Sequence, residues 1–123
     1  MKAFLLVAAG GALGSAARYA AGAFFFHSFP SAKFPWGTFF VNIAGCLAIG
    51  LAAGWIEKMS AWNAETRLAV VTGFLGGFTT FSAFGLDTLM LIKAGDLVLA
   101  VLYAASSVIL GVLMVQAGLK WMI

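Results

Sequence analysis

The sequence predicts an all-α membrane protein of four transmembrane helices with a break in the third. Three observations carry that prediction. Of the 123 residues, 63% are hydrophobic and only 9% are charged, whereas a soluble domain carries roughly a quarter charged residues. The apolar residues fall into four stretches near the ~20 residues needed to cross a bilayer. The third stretch holds Gly73-Phe74-Leu75-Gly76-Gly77-Phe78-Thr79-Thr80-Phe81-Ser82-Ala83-Phe84. Glycine weakens helices, and polar or irregular backbone at membrane depth is tolerated only inside protein or along a cavity. A small polar species is therefore expected to meet this run.

The first helix is expected over residues 2–26. It ends at the Phe24-Phe25-Phe26-His27 cluster, followed by the breakers Pro30 and Pro35 and by Lys33. Its positive start and alanine-rich body could pass for a signal peptide. The apolar pattern runs on past Arg18 and Tyr19 at full spanning length, so the reading is an uncleaved helix. The second covers 36–56 and closes at Glu57-Lys58, with a polar loop to Glu65 that holds Trp62 at interface level. The third covers 66–92. Lys93-Ala94-Gly95-Asp96 is a tight turn, with Gly95 suited to a helix end and Asp96 to the next N-cap. The fourth covers 97–119, with Lys120-Trp121 as an interfacial anchor. All four are helices by length; a barrel would need alternating strands of about ten residues.

These spans nearly exhaust the chain, which reads as one transmembrane domain with no room for a soluble enzyme core. The net charge of +3 comes from basic residues standing singly at segment ends. That placement suits lipid head groups and topology signals, not nucleic acid. The lone Cys46 excludes an intramolecular disulfide, and neither it nor the lone His27 makes a metal site.

Four crossings put both termini on one side. Lys2, Lys58, Arg67 and Lys120 lie on that side; Lys33, Lys93 and the embedded Arg18 lie on the other. So small a bias sets no firm orientation under the positive-inside rule, and it permits an antiparallel dimer. Four thin helices enclose little, so a transport path calls for a second subunit. Gly10/Gly14, Gly50/Gly54 and Gly73/Gly77 offer close-packing faces, between subunits or within one.

Several polar residues inside the spans could carry chemistry. Arg18 in the first helix either snorkels or draws anions to a vestibule. Asp87 either pairs with Arg18 or faces a water-filled cavity. Thr38 and Asn42 share a face of the second helix, as do Tyr103 and Ser107 on the fourth. Together they form a sparse stripe of uncharged donors, read either as interhelical glue or as a path for an anion shedding water. Phe81 and Phe84, with Thr80 just before the pair and Ser82 within it, could present positive ring edges to an anion. A glycine break frees carbonyls near Gly76 and Thr79, hard oxygens suited to a small cation.

The segments Gly10–Tyr19, Pro35–Gly45 and Gly73–Phe84 together resemble the CrcB/Fluc fluoride channels, in order and along essentially the whole chain. The resemblance implies a dual-topology antiparallel homodimer in a bacterial inner membrane. It further implies two fluoride pores that let the ion leave the cytoplasm passively. It assigns a structural sodium at the dimer centre to the main-chain carbonyls of Gly76 and Thr79. It places Phe81 and Phe84 along the pores, Asn42 as a pore donor, Thr38, Tyr103 and Ser107 on the polar track, and Arg18 at the vestibule. Gly111 stands where some members extend that track with another hydroxyl. The competing class is a small proton-coupled multidrug transporter, which wants a carboxylate in the first span; there this chain has Arg18 and no acid. A non-transporting packing subunit is the other alternative.

Overall fold

The computed structural model describes residues 1–60 and 62–123. Four helices long and apolar enough to cross a membrane make up almost all of it. They are α1 (Lys2–Ser28), α2 (Trp36–Met59), α3 (Ala64–Lys93, interrupted) and α4 (Leu97–Met122). Each runs one to three residues past at least one expected end, because no breaker stops it sooner. Phe29, before Pro30, closes α1. Ser60, forced to a positive φ of 47°, closes α2.

The turn between α3 and α4 follows the expected chemistry only in part. Gly95 takes the positive φ of 82° that suits glycine at a helix end. Asp96 stands at the N-cap of α4, but its side chain makes no capping bond. The carboxylate instead meets Lys33 Nζ at 3.3 Å. The opposite end of the bundle carries a second ion pair, Lys2 with Glu65 at 2.6 Å. These two clasps join the start of α1 to the start of α3 and the α1–α2 loop to the α3–α4 loop, as four alternating crossings require.

Packing divides the bundle into two close pairs, α2 with α4 and α1 with the first half of α3. Glycines allow both. A Cβ at Gly50 would strike the Val115 carbonyl, and one at Gly54 would come within 2.7 Å of Met122 Cβ. Likewise Gly10 and Gly14 lie against the backbone at Ala69 and Phe74, and Gly77 against Gly11. All three small-residue pairs thus pack within the chain, backbone to backbone.

The interruption in α3 differs from the glycine break expected. The chain is α-helical over Ala64–Arg67, widens to a π-helix over Leu68–Leu75, and returns to α over Gly76–Phe78. It is extended at Thr79 (φ −81°, ψ 158°) and Thr80 (φ −151°, ψ 119°), then helical again over Phe81–Lys93. The glycines therefore lie in the wound part, where Gly73 and Gly77 meet α1, and the break falls on the two threonines. π-Turns of this kind concentrate at functional sites.

At the end of the bundle near the α1–α2 loop, an aromatic cluster fixes α2 against α4. Tyr103 is completely buried, with ring centroids of Phe34 and Phe84 each 5.3 Å away. Phe39, Leu91 and Ala100 complete that core.

Candidate functional site

Two extended residues in the middle of a membrane helix raise an immediate question of hydrogen bonds. The Thr79 N–H donates to Leu75 O at 3.0 Å, and its hydroxyl donates to the same carbonyl at 2.9 Å. Asn42 of α2 serves Thr80 from both sides: its Nδ2 donates to Thr80 O at 2.9 Å, and its Oδ1 accepts the Thr80 N–H at 2.8 Å. The Thr80 hydroxyl then caps the second half of α3 by accepting from the Ala83 N–H at 3.2 Å. Asn42, expected as a pore donor, is thus first a clamp on the break. One Nδ2 hydrogen remains for anything else.

The last carbonyls before the break are left over. With the Thr80 N–H held by Asn42 and the Ala83 N–H by Thr80, no donor among the described residues reaches the carbonyls of Gly76 or Thr79. Both residues line a cleft of about 370 Å³ between α2, α3 and α4. The same cleft is lined by Asn42, Thr80, Phe81, Phe84 and Ser107. The Ser107 hydroxyl is buried there with no partner. The Phe81 and Phe84 centroids are 5.6 Å apart with rings tilted by 40°. Phe84 is wedged against Tyr103, whereas Phe81 is 85% exposed.

The remaining candidates gather elsewhere. Arg18 and Thr38 line a smaller cavity of about 130 Å³, together with Thr80 and Ala83. Thr80 borders both cavities and is the wall between them. Arg18 Nε is buried without an acceptor, and Arg18 makes no ion pair among the described residues. The Arg18–Asp87 pair that the sequence allowed is therefore not formed. Asp87 Oδ2 instead accepts the Tyr103 hydroxyl at 3.4 Å, because Asp87 lies one α3 turn past Phe84 and faces α4. Tyr103 lines neither cavity. Ser82 is exposed, with its hydroxyl 3.4 Å from that of Thr80.

Gly45 and Cys46, neither of them a candidate from the sequence, also line the larger cleft. Gly45 was detectable in principle, since it stands three residues from Asn42 and so shares its face of α2.

The family model described as "CrcB-like protein, Camphor Resistance (CrcB)" matches residues 5–119. The chain belongs to the CrcB family. Among CrcB relatives, a protein of Hyphomonas neptunium is 50% identical over 123 residues, covering 99% of this chain and 95% of its own length. One from Rhizobium johnstonii is 48% identical over 118 residues, covering 96% and 94%. A third, from Novosphingobium aromaticivorans, is 46% identical over 123 residues, covering 99% and 97%. Each of these three bears the name "Fluoride-specific ion channel FluC". The names are those of channels, and the CrcB chain is accordingly not an enzyme.

Proposed function

We propose that this chain is a passive, fluoride-selective channel that lets fluoride leave the cytoplasm, working as an antiparallel homodimer with two pores in a bacterial inner membrane. One observation carries the reading. The interrupted α3 and the facing helices bring a tilted ring pair, Phe81 and Phe84, and the unpartnered Ser107 hydroxyl to a single cleft. Ring edges and lone hydroxyls are weak, uncharged donors. They can replace part of an anion's hydration without trapping it, as conduction requires. The names of the relatives supply the ion.

In this reading Arg18 concentrates anions in the smaller cavity, Thr38 and Thr80 receive them, and Phe81, Phe84 and Ser107 pass them along the larger cleft. Tyr103 and Asp87 brace Phe84 from behind. Fluoride accumulates inside cells because its neutral acid crosses membranes and dissociates in the more alkaline cytoplasm. A negative interior then drives the anion out, with about 2.3 kcal/mol per charge per 100 mV.

The dimer is supported by exposure and by charge. Phe81 and the Gly76 edge of the cleft are uncovered at membrane depth. The two end clasps take one lysine from each side, so the near balance of basic residues between the two faces persists. A chain so balanced has no orientation imposed by charge, which is what a dual-topology dimer needs.

The residues at the break also fit a resident sodium ion. The free carbonyls of Gly76 and Thr79 are the hard oxygens a small cation takes, and two copies of the chain would supply four. Such an ion would neutralise carbonyl dipoles gathered at the subunit boundary.

Purified protein in liposomes loaded with fluoride tests the function. The expected result is rapid fluoride efflux on adding a potassium ionophore, with no comparable efflux when chloride replaces fluoride. Efflux that requires an imposed proton gradient, or none at all, overturns the channel reading.

A further inference from the structure

Gly45 sits on α2 one turn after Asn42, against the extended pair in α3. A Cβ built on it would collide with Thr79 Cγ2, while the next nearest atoms, Thr79 Cβ and Phe78 Cδ1, lie at an ordinary 3.6 and 3.7 Å. The clash is thus with one methyl group and nothing else. That methyl belongs to the residue whose hydroxyl and N–H both return to Leu75 O and whose own carbonyl has no donor.

We infer that Gly45 is a positioning residue for ion conduction. Its missing side chain forms the seat for the Thr79 methyl, and that seat fixes the rotamer and peptide plane of Thr79. Asn42 holds Thr80 by hydrogen bonds; Gly45 holds Thr79 by shape. The two residues of α2 together impose a single conformation on the two residues of α3 that no helical ladder restrains. With a side chain at position 45, Thr79 must rotate. Its hydroxyl then leaves Leu75 O, and loss of that anchor frees the peptide plane that carries its carbonyl. The inference rests on the proposed function, since conduction is what the geometry serves.

The steric argument predicts suppression. Thr79→Ser keeps the hydroxyl and removes only the methyl, so it empties the space that a Cβ at position 45 needs. Thr79→Val keeps a methyl and loses the hydroxyl, and empties nothing. The experiment compares fluoride efflux from liposomes for the wild type, Gly45→Ala, Thr79→Ser, Thr79→Val, Gly45→Ala/Thr79→Ser and Gly45→Ala/Thr79→Val. Elution from a sizing column and thermal unfolding in detergent are measured alongside. Gly45→Ala is expected to cut efflux at least tenfold in the wild-type background. In the Thr79→Ser background the same change is expected to cut it less than threefold, and in the Thr79→Val background at least tenfold again.

A loss that is equal in the Thr79→Ser and wild-type backgrounds overturns the inference, as does full activity of Gly45→Ala. If Gly45→Ala alone fails to fold, the serine double variant decides. Recovery of folding and efflux together supports positioning, and recovery of folding without efflux overturns it. The sodium concentration giving half-maximal efflux adds a readout that packing alone does not move: it should rise in Gly45→Ala and return in the serine double variant. A half-maximal concentration that fails to rise in Gly45→Ala, in a sodium-sensitive wild type, counts against positioning. Failure of the underlying reading is separately visible. A wild type that carries no fluoride removes the proposed function, and a wild type indifferent to sodium removes the ion while the suppression of efflux still tests Gly45.

Discussion

Asn42 and Thr80, 38 residues apart, exchange two hydrogen bonds of 2.9 and 2.8 Å, the amide of one side chain matching both backbone groups of the other residue. This is the pairing of two β-strand residues carried out by a single side chain. Each backbone group it satisfies would otherwise stand unpaired at membrane depth, at about 1–3 kcal/mol apiece.

The clamp predicts a graded series. Asn42→Ala removes both partners and should lower stability by about 2–6 kcal/mol, with fluoride efflux abolished. Asn42→Asp keeps the acceptor for the Thr80 N–H but sets a carboxylate oxygen against the Thr80 carbonyl. It should be no better than alanine. Thermal unfolding in detergent and liposome efflux measure the two effects; a stable, active Asn42→Ala channel contradicts the clamp.

The ring pair predicts a division between stability and conduction. Phe81→Ile keeps a large apolar side chain and loses only the ring, so it should leave the dimer folded while efflux falls at least tenfold. Phe84 packs on Tyr103, so Phe84→Ile should lower both, with a stability loss of about 1 kcal/mol or more for the lost aromatic contact. Unchanged efflux in Phe81→Ile would remove its ring from the ion path.

Removing sodium should act on the assembly. Exhaustive dialysis into a sodium-free buffer is expected to lower both efflux and unfolding temperature, and returning sodium should restore them. Indifference to dialysis in both measurements argues that the Gly76 and Thr79 carbonyls hold no cation.

The α1–α3 contact predicts a contrast between neighbours. A Cβ at Gly14 would strike the Phe74 carbonyl, whereas one at Gly11 would meet only Gly73 O at 3.8 Å. Gly14→Ala should therefore reduce the yield of folded protein several-fold and Gly11→Ala should not, as measured by fluorescence-detected size exclusion.

The four spans were legible because lipid makes hydropathy and length nearly sufficient. Their ends were less so, since a helix runs on until a residue such as Ser60 or Phe29 departs from helical dihedrals. The Gly73–Phe84 run announced a break, yet glycine content pointed a few residues too early. Those glycines are spaced for contact with α1, and the break falls where Asn42 can hold extended backbone. No local pattern shows a bond across 38 residues. Asp87 illustrates the same limit: its charge suggested Arg18, and its place on α3 turned it to Tyr103. Phe81, Phe84, Gly76, Thr79, Asn42 and Ser107 were all named from the sequence and share one cleft, while Arg18 and Thr38 lie in another.

The interruption in α3 also makes one membrane crossing depend on another. The second half, Phe81–Lys93, has 13 residues and reaches about 20 Å, well short of the ~30 Å hydrocarbon core. Alone it cannot span, and the bare backbone at Thr79 and Thr80 would be costly to release into lipid before a partner exists. The third crossing is therefore not self-sufficient: its two halves make one span only where Asn42 of α2 supplies the partners for Thr80.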